Sequence, residues 1–267
     1  MTEDTGFDLQ GAGVVVTGGG GGIGSAMARR FAAAGARIVV ADLDGDAVAE
    51  VAGETGGVAV TVDAASENGV SRLIETAIDE LGAIDLYCAN AGVAPHGGPE
   101  AADASWARAW DVNVMAHVRA AGLLLPPWLE RGRGRFLATV SAAGMLTMLG
   151  SAPYAVTKHG ALAFAEWLSA TYRHRGITVQ ALCPQGVRTG MLAEAGPGMR
   201  ALVGPTAISP EEVSETVIAA LADDRFLILP HPEIADYYRA RVADTGRWIA
   251  GMNILQRKIE NMRSEEG

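Results

Sequence analysis

The sequence predicts an α/β fold: a single doubly wound parallel sheet of about seven strands with helices on both faces. Three observations carry that prediction. Short apolar runs alternate with longer stretches of helical periodicity along the whole chain. Several runs are almost wholly apolar, as parallel strands covered on both sides must be. The strand–helix–strand order then demands right-handed crossovers, which distribute helices over both faces.

The elements follow in order. GVVVT (13–17) is a buried strand that runs straight into a glycine string and the helical SAMARRFAAAG, giving a helix near 22–35. ARIVVA (36–41) is the second strand and ends at Asp42, with a helix near 45–55 after it. VAVTV (58–62) leads through Asp63 to a helix near 66–81, and IDLYCA (84–89) is the fourth strand. A long helix is expected over 103–130, then RFLATV (135–140), a helix over 153–174, ITVQAL (177–182), a helix over 209–222 and FLIL (226–229). No repeat, low-complexity linker or shift in composition divides residues 1–267, so one domain is expected. Residues 186–208 break the rhythm with glycines between small and apolar residues, the composition of a lid over an apolar site. Residues 231–264 read as a helical tail whose large apolar groups, among them Tyr237, Tyr238, Trp248 and Ile249, need a surface to cover. Packing between subunits of a homo-oligomer, a dimer or tetramer, is the expectation, against packing on the same subunit.

Composition narrows the function. The 267 residues are 49% hydrophobic and 19% charged, enough apolar material for a large core. A net charge of −10 argues against nucleic acid, which needs clustered positive charge. Arg131, Arg133 and Arg135 do cluster, but between a helix and a strand, where a solvated turn is expected. Cys88 and Cys183 lie inside apolar runs and read as buried free thiols, which fits a reducing, cytoplasmic setting without disulfides. The acidic N-terminus is unlike a signal peptide, and the apolar run near 121–129 is far shorter than the ~20 residues of a membrane span. His117, His159, His174 and His231 have no companions at metal-ligand spacing, so no metal is expected.

The chemistry is concentrated in a few positions. Glycines 18–22 and Gly24 follow a strand and open a helix, the context in which backbone can approach a pyrophosphate and a helix N-terminus can receive it. Asp42 at the end of the second strand suits the ribose hydroxyls of a dinucleotide, and no Arg or Lys follows it to neutralise a 2′-phosphate. NAD is therefore expected over NADP. Tyr154 and Lys158 are four apart on a helix and share a face. Lys158 is one of two lysines against nineteen arginines, a compact ammonium kept where an Arg fork would not substitute. A cation beside a phenol stabilises phenolate, although moving a pKa from ~10 to near neutrality takes roughly 4 kcal/mol. Ser141, ending the fifth strand, can hold a substrate oxygen at that phenol.

Taken together these motifs resemble the short-chain dehydrogenase/reductase family over nearly the whole chain. TGGGGGIG (17–24) is similar to its TGxxxGIG loop, Asn90-Ala91-Gly92 to its NAG motif, and Tyr154 with Lys158 to its YxxxK pair. Pro184 to Thr189 resembles its PGxVxT segment, with Gln185 in place of the usual glycine. The resemblance implies a Rossmann-like fold and a catalytic tetrad of Asn113, Ser141, Tyr154 and Lys158. It implies cofactor contacts at Gly18, Gly20, Gly21, Gly22, Ile23 and Gly24, at Asp42 and Leu43, and at Asp63 and Ala64 near the adenine. It places Asn90, Ala91 and Gly92 on the adenosine side and Pro184, Val187 and Thr189 by the nicotinamide. Lys158 would bind the nicotinamide ribose, and Asn113 would position a water in a proton relay through Lys158.

The substrate is expected to be a small apolar alcohol or ketone. The candidate pocket comprises Ser141, Tyr154, Met145, Gln185, Met191 and His96, with adaptable Met side chains pointing to an apolar ligand. The leading expectation is an NAD-dependent oxidoreductase that interconverts a secondary alcohol and a ketone. Two others stand beside it: an NADPH-linked ketoacyl-type reductase, which Asp42 opposes, and a non-catalytic dinucleotide sensor, which has no need of an intact tetrad.

Overall fold

A computed structural model describes residues 6–196, 200 and 203–265. Seven parallel strands form one sheet in the order β3-β2-β1-β4-β5-β6-β7. They are β1 Gly13–Thr17, β2 Arg37–Asp42, β3 Val58–Thr61, β4 Leu86–Ala89, β5 Gly134–Thr139, β6 Ile177–Leu182 and β7 Leu227–Ile228. Helices α1 Gly22–Ala33, α2 Gly45–Thr55, α3 Glu67–Leu81, α4 Asp103–Trp110 and α5 Ala116–Arg131 occupy the first half. The second half holds the short α6 Ala142–Met145, the long α7 Ala152–Tyr172, the short α8 Gly190–Ala193 and α9 Pro210–Asp223. The tail supplies α10 Glu233–Ala243 and α11 Thr245–Glu265.

Strand periodicity sorts the core into two layers. Along β1, Val14 and Val16 join a cluster with Phe31, Val40 and Val217 on one face. Val15 joins Leu73, Phe136 and Leu168 on the other, because successive side chains point to opposite sides. Helices start where a side chain can meet their free N–H groups. Asp44 accepts from Asp46 and Ala47 at the head of α2, Ser66 from Gly69 at α3, and Ser209 forms a reciprocal capping box with Glu212 at α9. The head of α1 has no such side-chain cap and no acidic residue in its first turn.

Three expectations change. The helix expected over 103–130 is broken by a π-turn at Asp111–Met115, where the Ala116 N–H reaches back to the Asp111 carbonyl. FLIL shrinks to Leu227–Ile228, an edge strand bonded only to β6 and closed by Pro230, which has no N–H to extend a ladder. Arg135 is not part of a solvated turn. It is buried, paired with Asp224 at 2.5 Å, bonded to Gln180 Oε1 at 3.1 Å and stacked over Phe7, because burial of its stem needs those partners. Within the expected lid, residues 197–199 and 201–202 lie outside the described residues. Among the described residues, no helix is long and apolar enough to cross a membrane, and no group of His, Cys, Asp and Glu could hold a metal ion.

Candidate active site

The strands β1 and β4 are neighbours, and the chain winds away from them in opposite directions. That reversal opens a crevice at the carboxyl edge of the sheet. The loop after β1 turns at Gly18, whose φ of +63° is left-handed. At Gly24 the chain passes itself so closely that a Cβ would lie 2.0 Å from the Gly18 carbonyl and 2.7 Å from Asn90 Nδ2. No larger residue fits there. Asn90 stitches the crevice together: its Nδ2 donates to the carbonyls of Thr17 and Gly18 at 3.0 and 3.3 Å, and its Oδ1 accepts from Thr139 at 3.1 Å. Its own N–H and that of Ala91 converge on Thr17 Oγ1. The asparagine side chain is thus spent on joining β1, β4 and β5.

Asp42 sits over the other side of the loop. One carboxylate oxygen accepts from the Gly20 N–H at 3.0 Å, and the other from Leu43 and Asp44 at 2.7 and 3.3 Å. Asp44, not Asp42, caps α2, so the Asp42 carboxylate keeps lone pairs for a ligand. Asp63 accepts from the Ala65 N–H beside Ala64 and lies 3.7 Å from Arg108. Across the crevice, a Cβ on Gly22 would meet the Thr189 methyl at 3.0 Å, so Thr189 faces the glycine loop, while Val187 packs in the core. An uncapped α1, a loop with open space at Gly21 and a carboxylate at the β2 tip together fit a dinucleotide: amide donors for the diphosphate and acceptors for a ribose.

The tetrad converges at the ends of β4, β5 and the start of α7. Ser141 and Tyr154 are both 8% exposed, and Asn113 and Lys158 are deeper still. Ser141 Oγ accepts from the Ala143 N–H at 3.1 Å, donates to the Pro184 carbonyl at 3.4 Å and lies beside the Tyr154 phenol. Lys158 Nζ donates to the Thr139 carbonyl at 2.8 Å and stands 5.6 Å from the Tyr154 ring centre. Burial pulls the Lys158 ammonium down to about 8. The Tyr154 phenol moves the other way: burial raises it, and the Ser141 hydrogen bond offsets only part of that. Desolvation dominates, so the phenol is raised where the nearby cation was expected to lower it. Gly92 completes the wall; a Cβ there would approach Asn113 Oδ1 at 3.3 Å and Lys158 Nζ at 3.4 Å.

The Asn113 side chain makes three hydrogen bonds. Its Oδ1 accepts from the Val93 N–H at 3.0 Å, and its Nδ2 donates to the Val93 carbonyl and to Thr157 Oγ1, each at 2.9 Å. It clamps the loop after β4 to α7, from inside a π-turn of the kind frequent at functional sites.

A cleft of about 620 Å³ opens at the first turns of α7, whose Ala152, Ala155 and Val156 line it while Tyr154 does not. Met148, Leu149, Ala152, Ala155 and Val156 supply its apolar wall, while His96, Glu100 and Gln256 supply polar groups. His96 Nε2 lies 3.4 Å from the Glu194 carbonyl, next to α8. Met191, expected in the pocket, is exposed and is not among the residues that line the cleft. Met145, expected in the pocket, belongs to the core cluster instead, because α6 turns it under the sheet edge. The Gln185 N–H donates to His231 Nδ1 at 3.1 Å, so the residue that departs from the family glycine is anchored by its backbone.

Sequence reasoning passed over several residues. Thr17, Thr139 and Thr157 each hold a site residue, and all sit beside a motif, but a threonine there carries no signal until the strands are aligned. Arg241 on α10 donates to the Met145 carbonyl and lies 3.1 Å from His159 Nε2, pinning the tail to α6 and α7. Gln256 reaches the cleft from α11, where nothing in the sequence marks it.

Comparisons with known proteins agree with this arrangement. Residues 12–200 match the family model described as short chain dehydrogenase. The chain is 39% identical over 255 residues to a 1-deoxy-11-beta-hydroxypentalenate dehydrogenase of Streptomyces exfoliatus, covering 91% of each chain. It is 34% identical to a 2,5-dichloro-2,5-cyclohexadiene-1,4-diol dehydrogenase of Sphingobium indicum, covering 70% of this chain and 77% of that one. A crystal structure of a short chain dehydrogenase/reductase from Burkholderia phymatum in complex with NAD superposes with a TM-score of 0.83 at 28% identity, over 90% of this chain and 95% of the other.

Proposed function

The chain belongs to the short chain dehydrogenase family, and on that premise we propose that it is an NAD(H)-dependent oxidoreductase interconverting a secondary alcohol and a ketone. The observation that carries the reading is a buried phenol, Tyr154, set beside the Ser141 hydroxyl and backed by the Lys158 ammonium. Lys158 faces Gly92 in the loop after β4, at the crevice edge. A bound nicotinamide dinucleotide supplies the hydride acceptor or donor. Gly18 to Gly24 and the head of α1 would hold its diphosphate, and Asp42 its adenosine ribose. The preference for NAD over NADP rests on Asp42 with Leu43, Asp44 and Asp46 after it, a run with no cation for a 2′-phosphate.

In alcohol oxidation, Ser141 and Tyr154 grip the hydroxyl oxygen and Tyr154 takes its proton as the hydride departs. Lys158 then carries proton charge away from the phenol; its depressed affinity, near 8, suits a group that both accepts and releases. Ketone reduction runs the same path backwards. Asn113 serves by holding Val93 and Thr157, which fix Gly92 and the first turns of α7 against Lys158.

Substrates of the cyclic, largely apolar kind suit the cleft of Met148, Leu149 and Val156. Two relatives named for cyclic alcohol dehydrogenation support that class. We also infer a single catalytic domain with a lid over 186–208 and a homo-oligomer. Trp110, Leu123, Val156 and Trp167 leave a broad apolar surface on α4, α5 and α7. The decisive experiment follows NADH formation across cyclohexanol, cyclooctanol and decahydronaphthol, each repeated with NADP. Turnover with NAD that vanishes in Tyr154→Phe, while calorimetry still registers NAD binding, supports the reading. Full activity in Tyr154→Phe refutes the acid–base role, and a sensor would be indicated by NAD binding without turnover of any alcohol or ketone.

A further inference from the structure

One buried titratable side chain has no part in the mechanism above. His117 lies on the first turn of α5, one turn beyond Asn113, and is 1% exposed. Its ring meets Phe136 edge-on, with 6.1 Å between centres, and Phe136 is on β5, the strand whose Thr139 carbonyl holds Lys158 Nζ. Both of its ring nitrogens are buried, and neither has a partner among the described residues.

The other histidines differ. His159 places Nδ1 2.8 Å from the Ala155 carbonyl and Nε2 3.1 Å from Arg241. His231 accepts the Gln185 N–H and leaves one nitrogen bare. His96 and His174 reach the surface. Only His117, among the described residues, is enclosed with both nitrogens unmet. A phenylalanine would fill the space against Phe136 without stranding polar atoms, so plain packing does not account for an imidazole there.

The charge environment keeps this ring neutral. Burial first, and then the Lys158 ammonium, hold it down to about 3. A neutral imidazole has one donor and one acceptor nitrogen, and in an enclosed polar site each is met by water. The Asn113 amide, held by three hydrogen bonds to Val93 and Thr157, neither gains nor loses a proton near neutral pH, whereas an imidazole can do both.

We propose that His117 is the next member of the proton path beyond Lys158, linked to it through an internal water. During alcohol oxidation an N–H bond of the Lys158 ammonium breaks and the proton passes, through that water, to the unprotonated nitrogen of His117. The opposite ring nitrogen gives its own proton to water on the far side. One proton enters and one leaves; the ring is neutral before and after, and reorientation restores its starting tautomer. Ketone reduction reverses the direction. His117 touches neither substrate nor dinucleotide, so it is a positioning residue acting through Lys158, and the inference rests on the oxidoreductase reading.

The test compares wild type, His117→Phe, His117→Gln and His117→Ala with NAD and the fastest alcohol of the cyclohexanol, cyclooctanol and decahydronaphthol panel. The expected result for His117→Phe is a kcat lowered roughly tenfold or more, a larger solvent deuterium isotope effect, and an unchanged KM and NAD affinity. Glutamine should retain more turnover than phenylalanine, and added imidazole should restore part of it in His117→Ala. A kcat within about twofold of wild type in His117→Phe, with an unaltered isotope effect, overturns the relay even if melting temperature changes. That outcome is distinct from failure of the oxidoreductase reading, in which wild type itself turns over none of the alcohols. A second readout needs no turnover and no substitution. Nitrogen-15 spectra of the imidazoles in cofactor-free protein should show His117 neutral, with its N–H exchanging rapidly with water. A long-lived N–H there means a dry ring and excludes the path.

Discussion

The two halves of the sheet edge are built on different physical principles. On the β1–β3 side the crevice is made of backbone: a left-handed turn at Gly18, a contact at Gly24 too close for any side chain, and main-chain N–H groups gathered on Asp42. On the other side it is made largely of side chains from the loop after β4, the loop before α7, α7 itself and α11, with a 620 Å³ cleft between them. Backbone packing tolerates almost no substitution, because displaced main chain has nowhere to go. A side-chain wall can be redrawn residue by residue. A common cofactor and a variable substrate would require that division of labour.

The comparison can be broken most severely on the backbone side. Gly24→Val should abolish measurable NAD binding and lower the melting temperature by many degrees, since its Cβ would overlap the Gly18 carbonyl. Retained NAD affinity by calorimetry would show that the loop is more plastic than its packing implies. At the seam between halves, Lys158→Met should cut turnover by about three orders of magnitude. Yet it should raise stability at neutral pH. The Lys158 pKa is depressed from 10.5 to about 8, so the folded state disfavours the ammonium. At about 1.4 kcal/mol per unit, that penalty is about 3 kcal/mol below pH 8 and fades between 8 and 10.5. Loss of the bond to the Thr139 carbonyl offsets part of the gain. Thermal melts of both proteins at several pH values check the sign.

Smaller effects sharpen the contrast. Asp42→Ala combined with Leu43→Arg should move the NADP-to-NAD ratio of kcat/KM by roughly a hundredfold, through removal of one charge and addition of another. Release of a proton from Lys158 is favoured above its pKa, so alcohol oxidation should rise as pH climbs through about 8 and ketone reduction should fall over the same span. Initial rates in both directions test this. On the side-chain half, Gln256→Ala should raise KM for the alcohol only a few-fold and leave NAD affinity untouched. An equal effect on both ligands would mean the halves are less separate than they look.

The same division explains what could be read from the sequence. Local periodicity and motif order are written in short windows, so the seven strands, the glycine loop, Asp42 and the Tyr154–Lys158 pair were legible. What required the third dimension was hidden. Asn113 could be located but not its partners, because Val93 and Thr157 meet it only after folding. The π-turn left no mark in apolar spacing. Arg135 read as surface because its partner Asp224 is far along the chain. The phenol of Tyr154 was expected to be acidified by a nearby cation, yet burial, which no pair spacing reveals, dominates. Met145 looked available for a ligand until α6 turned it into the core.

Arg241 fastens the end of the chain to the Met145 carbonyl and to His159, a residue adjacent to Lys158. A segment remote in sequence from the tetrad therefore braces the ground on which the chemistry stands. Proteins shortened before that arginine would keep the nucleotide crevice intact while losing the brace and the Gln256 contact together. Grafting foreign C-termini onto this scaffold thus offers a way to retune its choice of alcohol without editing a single strand.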